Sequence, residues 1–247
     1  MANEERPAKR AKLDFNDHVR VLVSPSKKEF VVHKDIVTRR SPFFKAATSA
    51  RWNGTKPIEL PDDKPKVFAE YLHCLYVGDL AFGSETVRAS AGELEGALDF
   101  YIFANKMGDV KATNDAIDAI IKWSDNKHVI PPLKHVGYAY ERTLDGSRLR
   151  RLLVDYYIQE CVPAVFDRVP DADLTEFYRD VFKEYLRRKR EAVDALKTRD
   201  TETTEDAAKP ESKPPPTISK VFNRMISWGS PCYYHAHDDS CLPCTSA

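Results

Sequence analysis

Between positions 19 and 23 the chain alternates, with Val19, Val21 and Val23 separated by Arg20 and Leu22, which predicts a mostly buried strand. Ser24-Pro25-Ser26-Lys27-Lys28 is turn-like, and Phe30 and Val32 then resume the alternation, so 19–33 predicts a hairpin. After His33 the apolar period lengthens to that of a helix (Ile36, Val37, then Phe43, Phe44, Ala47), and Pro42 suits the first turn of a second helix. Ile58 and Leu60, between Pro57 and Pro61, predict a short third strand. Val67, Phe68, Tyr71, Leu72, Leu75 and Tyr76 share one helical face that Gly78 closes. Residues 96–107 are apolar nearly all round, as a central buried helix would be, and Ala116, Ile117, Ile120 and Ile121 mark another.

A second helical region follows Pro131-Pro132. Leu149, Leu152, Leu153, Tyr156 and Tyr157 predict one amphipathic helix. A longer one carries Leu174, Phe177, Tyr178, Val181, Phe182, Tyr185 and Leu186, with Asp171 or Asp173 as its N-cap. The segment TRDTETTEDAAKPESKPPP is polar and proline-rich, with little to build a core from. An amphipathic piece from Ile218 to Trp228 leads into a tail rich in Cys and His. The expected organisation is a basic tail over 1–14, a mixed domain over 15–128, a helical extension over 129–197, a linker over 198–217 and a short helix with the Cys/His tail over 218–247. The fold class is α+β, a small sheet capped by a helical cluster and followed by an α-helical extension.

Composition narrows the functional classes. Lys plus Arg and Asp plus Glu are 38 each, so no global charge points to nucleic acid or an anionic membrane. The first fourteen residues lack the apolar run of a secretory signal, and apolar stretches such as 97–104 are too short to span a bilayer. Five cysteines, unevenly placed, do not make the even framework of a small secreted domain. An intracellular protein, in nucleus or cytoplasm, is expected.

The run NDHVRVLVSPSKKEFVVHKDIVTRRSPFFKAA resembles the opening of BTB/POZ domains. In that family an acidic residue precedes the first strand, a later strand ends in His-Lys, and a helix and a Ser-x-x-Phe step follow. The corresponding residues here are Asp17, Phe30, His33, Lys34, Ser41 and Phe44. VFAEYLHCLYVGDL is similar to the family's third helix, with Tyr76 and Gly78, and FYIFANKMGDVKATNDAIDAI to its closing helix pair. The resemblance implies a protein-binding scaffold or adaptor that self-associates and recruits other proteins, among them corepressors and cullin-type ubiquitin ligases. It is nearest to the fungal branch that carries neither kelch repeats nor a zinc-finger array. Two features depart from the pattern. Long-form dimers swap an extra N-terminal helix and strand, whereas a charged tail precedes Phe15 here. Cullin adaptors carry a hydrophobic–x–Glu motif where this chain has Trp52-Asn53-Gly54. Phe43, Trp52 and Asn53 are the candidate partner surface. His33, Asp35 and Ser41 contain the residue types of a hydrolase triad, but no nucleophile elbow or oxyanion loop accompanies them, and a structural His33 is expected.

Lys9, Arg10 and Lys12, beside Pro7, resemble a nuclear-import signal, which needs an accessible basic segment. No groove-reading element accompanies them, so direct nucleic-acid binding is not expected. The tail CYYHAHDDSCLPC offers Cys232, His235, Cys241 and Cys244 at spacings that tetrahedral zinc favours, with His237 as the alternate ligand. Asp238 and Asp239 are candidates to orient a histidine. Docking of the tail onto the fold through Trp228, Tyr233 and Tyr234 competes with metal binding. A structural zinc is the cofactor expectation, and no other cofactor fingerprint occurs. A zinc-dependent enzyme is the alternative of another class. It needs an open coordination position and a general base in a cleft, so the expectation is a non-enzymatic protein.

Overall fold

A computed structural model describes residues 14, 16–49, 56–78, 80, 91–160, 165, 173–202 and 234–235. The expected hairpin is present as β1 (His18–Val23) and β2 (Lys28–His33), paired antiparallel with Val19 opposite Val32 and Val21 opposite Phe30. Its turn places Ser24 and Lys27 at positive φ, 69° and 51°. The Ser24 hydroxyl lies 2.6 Å from that of Ser26 and accepts the Ser26 N–H at 3.2 Å, local bonds that offset the conformational cost for a non-glycine residue. β3 (Ile58–Leu60) joins the other side of β1 in parallel, giving the order β2-β1-β3. The helices are α1 (Lys34–Arg40), α2 (Pro42–Ala47), α3 (Pro65–Val77), α4 (Ala91–Met107), α5 (Val110–Lys127), α6 (Leu133–Arg142), α7 (Arg148–Glu160) and α8 (Thr175–Glu202). The α+β class and the helical extension follow from this order.

The chain forms two compact units, Met1–Thr86 with Asp99–Ala116, and Val87–Leu98 with Ile117–Ala247. In the first, Val19, Val21, Val23, Val32 and Leu60 turn one face of the sheet inward, and Phe44, Phe68, Tyr71, Cys74, Phe100 and Phe103 are buried with them. Phe68 is the centre of the aromatic contacts, 4.9 Å from the Phe30 ring, 5.9 Å from Phe103 and 6.3 Å from Phe44. Gly78 ends α3 in the left-handed region at φ 97°, as the sequence predicts. The face that α3 buries carries Phe68, Tyr71 and Cys74, whereas Tyr76 stands in solvent.

A polar knot lies inside this apolar core. The Asp109 carboxylate, 1% exposed, receives Arg40 Nη2 and Nε at 3.0 Å, the Tyr71 hydroxyl at 3.1 Å and the Ala112 N–H at 3.0 Å. It therefore caps α5 while neutralising a guanidinium from α1. Burial and the neighbouring carboxylate raise the Tyr71 hydroxyl far above the usual tyrosine range, so it serves as a donor to Asp109. One residue along, the Ser41 hydroxyl donates to the Met107 carbonyl at 2.7 Å and accepts the Phe44 N–H at 3.2 Å, capping α2. Gly108 between these contacts has φ 69°, and a Cβ there would lie 3.2 Å from Pro42 Cδ. The backbone conformation favours glycine, and any side chain there would also press on Pro42.

In the second unit, Arg150 is the corresponding anchor, 6% exposed. Nη1 reaches Asp145 at 2.7 Å and Glu176 at 2.8 Å, and Nη2 donates to the Tyr140 and Thr143 carbonyls at 2.7 and 2.5 Å. Nε donates to the Thr143 hydroxyl at 3.2 Å, so the whole fork is engaged, and the guanidinium stacks over Tyr140 at 4.3 Å. This side chain closes the α6–α7 turn and ties it to the first turn of α8. Phe177 packs between Tyr140 and Tyr157, at 5.5 and 4.9 Å. The start of α8 is organised by Asp173, whose carboxylate accepts the Thr175 N–H at 2.9 Å, and the helix runs on to Glu202.

Two outcomes test these features. Asp109→Ala strands the Arg40 charge and uncaps α5, and it is expected to lower the stability of the first unit by about 3 kcal/mol or more. Hydrogen exchange of the α3 amides in the full chain measures this, and a loss below about 1 kcal/mol would show the knot to be dispensable. His135 is buried on α6, where desolvation, reinforced by Lys134 and opposed by Glu95, holds its ring below the ordinary value of 6.5. The unfolded chain therefore takes up this proton more readily than the folded one. The contribution is full above pH 6.5 and is lost as pH falls through the folded-state value. Unfolding midpoints should decline below pH 6.5 in the wild type and less steeply in His135→Gln; parallel curves would exclude the residue as the cause.

Candidate functional site

The residues singled out in the first unit take structural positions first. Asp17 accepts Lys34 Nζ at 2.9 Å, and its carbonyl accepts the Lys34 N–H at 3.0 Å, which locks the chain before β1 to the start of α1. The Tyr76 hydroxyl accepts the His33 N–H at 3.1 Å and lies 2.8 Å from His33 Nδ1, tying the end of β2 to the last turn of α3. The His33 ring also packs 4.7 Å from that of His18. His33, the N-cap position of α1, makes no side-chain cap bond, and the Asp35 carboxylate in the first turn accepts the Asp14 N–H at 2.7 Å. Ser41 and Phe44 are both fully buried, one in the cap of α2 and the other in the core. His33, Asp35 and Ser41 are thus each bonded to a different partner, and they do not assemble a triad.

Phe43 is half-buried, edge-on to Phe44 at 5.3 Å. Trp52 and Asn53, the other candidates for the partner surface, lie outside the described residues, as do Lys9, Arg10 and Lys12. A different apolar set is exposed in this unit. Val31 is 61% exposed, Val77 61% and Tyr76 46%. Val31 sits on β2, an edge strand among the described residues, and faces away from the core side that Val32 occupies. The strand pattern could have given this, because two adjacent valines on a period-2 strand cannot both face inward. The Tyr76–His33 bond connects the end of β2 to the helix that carries Val77. Arg20 and Glu29 pair across the hairpin at 2.5 Å, and the guanidinium holds the Glu29 carboxyl below its usual range.

Residues 11–97 match the family model of the BTB/POZ domain. The chain carries a BTB/POZ domain. No curated protein matches it. BTB/POZ domains are protein–protein interaction modules, generally not enzymes, that bind other proteins and dimerise. The signature residues Asp17, His33, Ser41 and Tyr76 are the ones whose bonds join its hairpin, its first two helices and α3. Among the described residues, no helix is long and apolar enough to cross a membrane, and no group of three His, Cys, Asp or Glu side chains could hold a metal.

Of the tail ligands, Cys232, His237, Cys241 and Cys244 lie outside the described residues. His235 and its neighbour Tyr234 are described, and both are buried in the second unit. Tyr234 donates its hydroxyl to Asp155 Oδ2 at 2.7 Å, and Asp155 also pairs with Arg188 of α8. Burial pushes the Asp155 carboxyl up, while Tyr234 and Arg188 pull it down. His235 Nε2 lies 2.8 Å from Asp118 Oδ1 on α5. Of the three residues considered for docking the tail, Tyr234 is bonded to the second unit, and Trp228 and Tyr233 lie outside the described residues. The receiving residues, Asp155, Arg188 and Asp118, carry no local sequence signal, because each reads as an ordinary solvated helix position.

Proposed function

We propose that this protein is a non-enzymatic adaptor or scaffold whose BTB/POZ domain holds partner proteins and copies of itself. The observation that carries the reading is the exposed set Val31, Tyr76 and Val77 on a domain of an interaction family. Among the described residues β2 lies at the edge of the sheet, which suits an extended partner segment laid along it. Corepressors and cullin-type ligases are partner classes that the family resemblance offers.

A second reading concerns the tail. His235 Nε2 lies 2.8 Å from Asp118 Oδ1, and a zinc-ligating histidine commonly bonds a carboxylate through one ring nitrogen. This contact supports a structural zinc held by Cys232, His235, Cys241 and Cys244, with Asp118 in the orienting role first considered for Asp238 and Asp239. Zinc would then staple the tail to the helical unit.

Affinity purification of the full chain tests the first reading. Val31→Asp and Val77→Asp should remove the captured partners, or self-association, while leaving the unfolding midpoint within about 0.5 kcal/mol of wild type. An unchanged partner set with both variants would overturn it. For the tail, the full chain purified at neutral pH should contain equimolar zinc that Cys241→Ser depletes. Zinc-free wild-type protein would rule the staple out.

A further inference from the structure

α8 has a second apolar stripe beside the seam it buries. The seam runs through Leu174, Phe177, Arg188 and Ala192. Phe182 and Leu186 are 62% and 45% exposed, and at about 100° per residue they lie roughly a third of a turn from it. Two large apolar side chains one turn apart on an exposed helix face signal a packing partner rather than an ordinary surface.

We propose that this partner is the chain's own segment 218–228, packed as an amphipathic helix along Phe182 and Leu186. The segment, ISKVFNRMISW, lies outside the described residues. Its apolar residues Ile218, Val221, Phe222, Met225 and Ile226 recur at three- and four-residue spacing, the pattern of a single helical face. Reach selects it over other occupants. Tyr234 is anchored on Asp155, which is paired with Arg188 of α8. The chain between Trp228 and Tyr234 can extend no more than about 20 Å, so the end of the segment is confined near that anchor. Leu186 and Phe182 lie about 3 Å and about 9 Å along the helix axis from Arg188. At the other end, α8 finishes at Glu202, and the chain from there to Ile218 can extend about 55 Å, ample to return along the helix. Tethered at both ends, the segment faces the stripe at an effective concentration on the order of millimolar. A separate protein or a second copy has to compete with that.

Hydrogen exchange of the full chain, with its mass in solution measured alongside, tests the packing. The amides of 218–228 should exchange about tenfold or more slowly than an unstructured segment of the same sequence, independently of protein concentration. Leu186→Asp and Ile226→Asp should each abolish that protection while the α7 amides, 149–157, stay protected. Should Leu186→Asp loosen α7 as well, Ile226→Asp decides alone. Unprotected wild-type amides, or protection that survives Ile226→Asp, would overturn the proposal. Protection that grows with concentration as the mass doubles would assign the stripe to a second copy instead.

Discussion

The buried carboxylate of Asp109 is the constraint on which the first unit depends. A charge this deeply enclosed is tolerated only when partners replace the water it has lost, and here they come from three elements: Arg40 of α1, Tyr71 of α3 and the Ala112 amide of α5. The apolar core around Phe68 drives collapse, but apolar contact is indifferent to small rotations of one helix against another. The carboxylate is not. Moving α1 or α3 by a fraction of a turn would strand either the anion or the guanidinium, so the knot selects one arrangement among those that bury similar area. Ser41 and Gly108 tighten the selection by bringing α2 within van der Waals contact of the turn that carries Asp109.

The helical unit solves the same problem twice. Arg150 satisfies its fork within one turn and one neighbouring helix, where a lysine could offer neither the planar geometry nor enough donors. Asp155 is matched by Arg188 across α7 and α8, and the remaining acceptor is taken by Tyr234 from far along the chain. That last bond makes Tyr234 part of the buried interior of the unit. A buried aspartate with a single cationic partner would leave acceptor capacity unused, and the tyrosine hydroxyl fills it.

What could be read from the sequence was local. Val19, Val21 and Val23 announce a strand because the period is two, Pro42 announces a helix start because its φ is fixed, and Gly78 announces a helix end because it adopts the left-handed region without strain. Arg150, Asp155 and Arg188 were not legible, because a charged residue between apolar ones on a helix reads as the solvated side, and only the fold shows that it faces inward. Tyr76 shares the spacing of the buried face of α3, yet it is half-exposed and its hydroxyl accepts the His33 N–H. Cys/His spacing in the tail pointed to chemistry, whereas the aspartates that receive Tyr234 and His235 are separated from them by most of the helical region, beyond the reach of any short motif.

The candidate interaction surface inherits its rigidity from these same bonds. α3 is held from within by Tyr71 on Asp109 and at its end by Tyr76 on His33, and the second of these also fixes β2. Val77 and Val31 are therefore carried on elements whose mutual position is set by the core, not by a partner. A surface held this way gives up little conformational freedom when it is covered, so more of the apolar burial appears as affinity. The cost of that arrangement is internal. The knot must bury a charge in a small domain, which adds little net stability beyond what apolar residues of similar size would provide. Its retention makes physical sense where presenting one fixed surface matters more than maximal stability, and that is the demand placed on an interaction module.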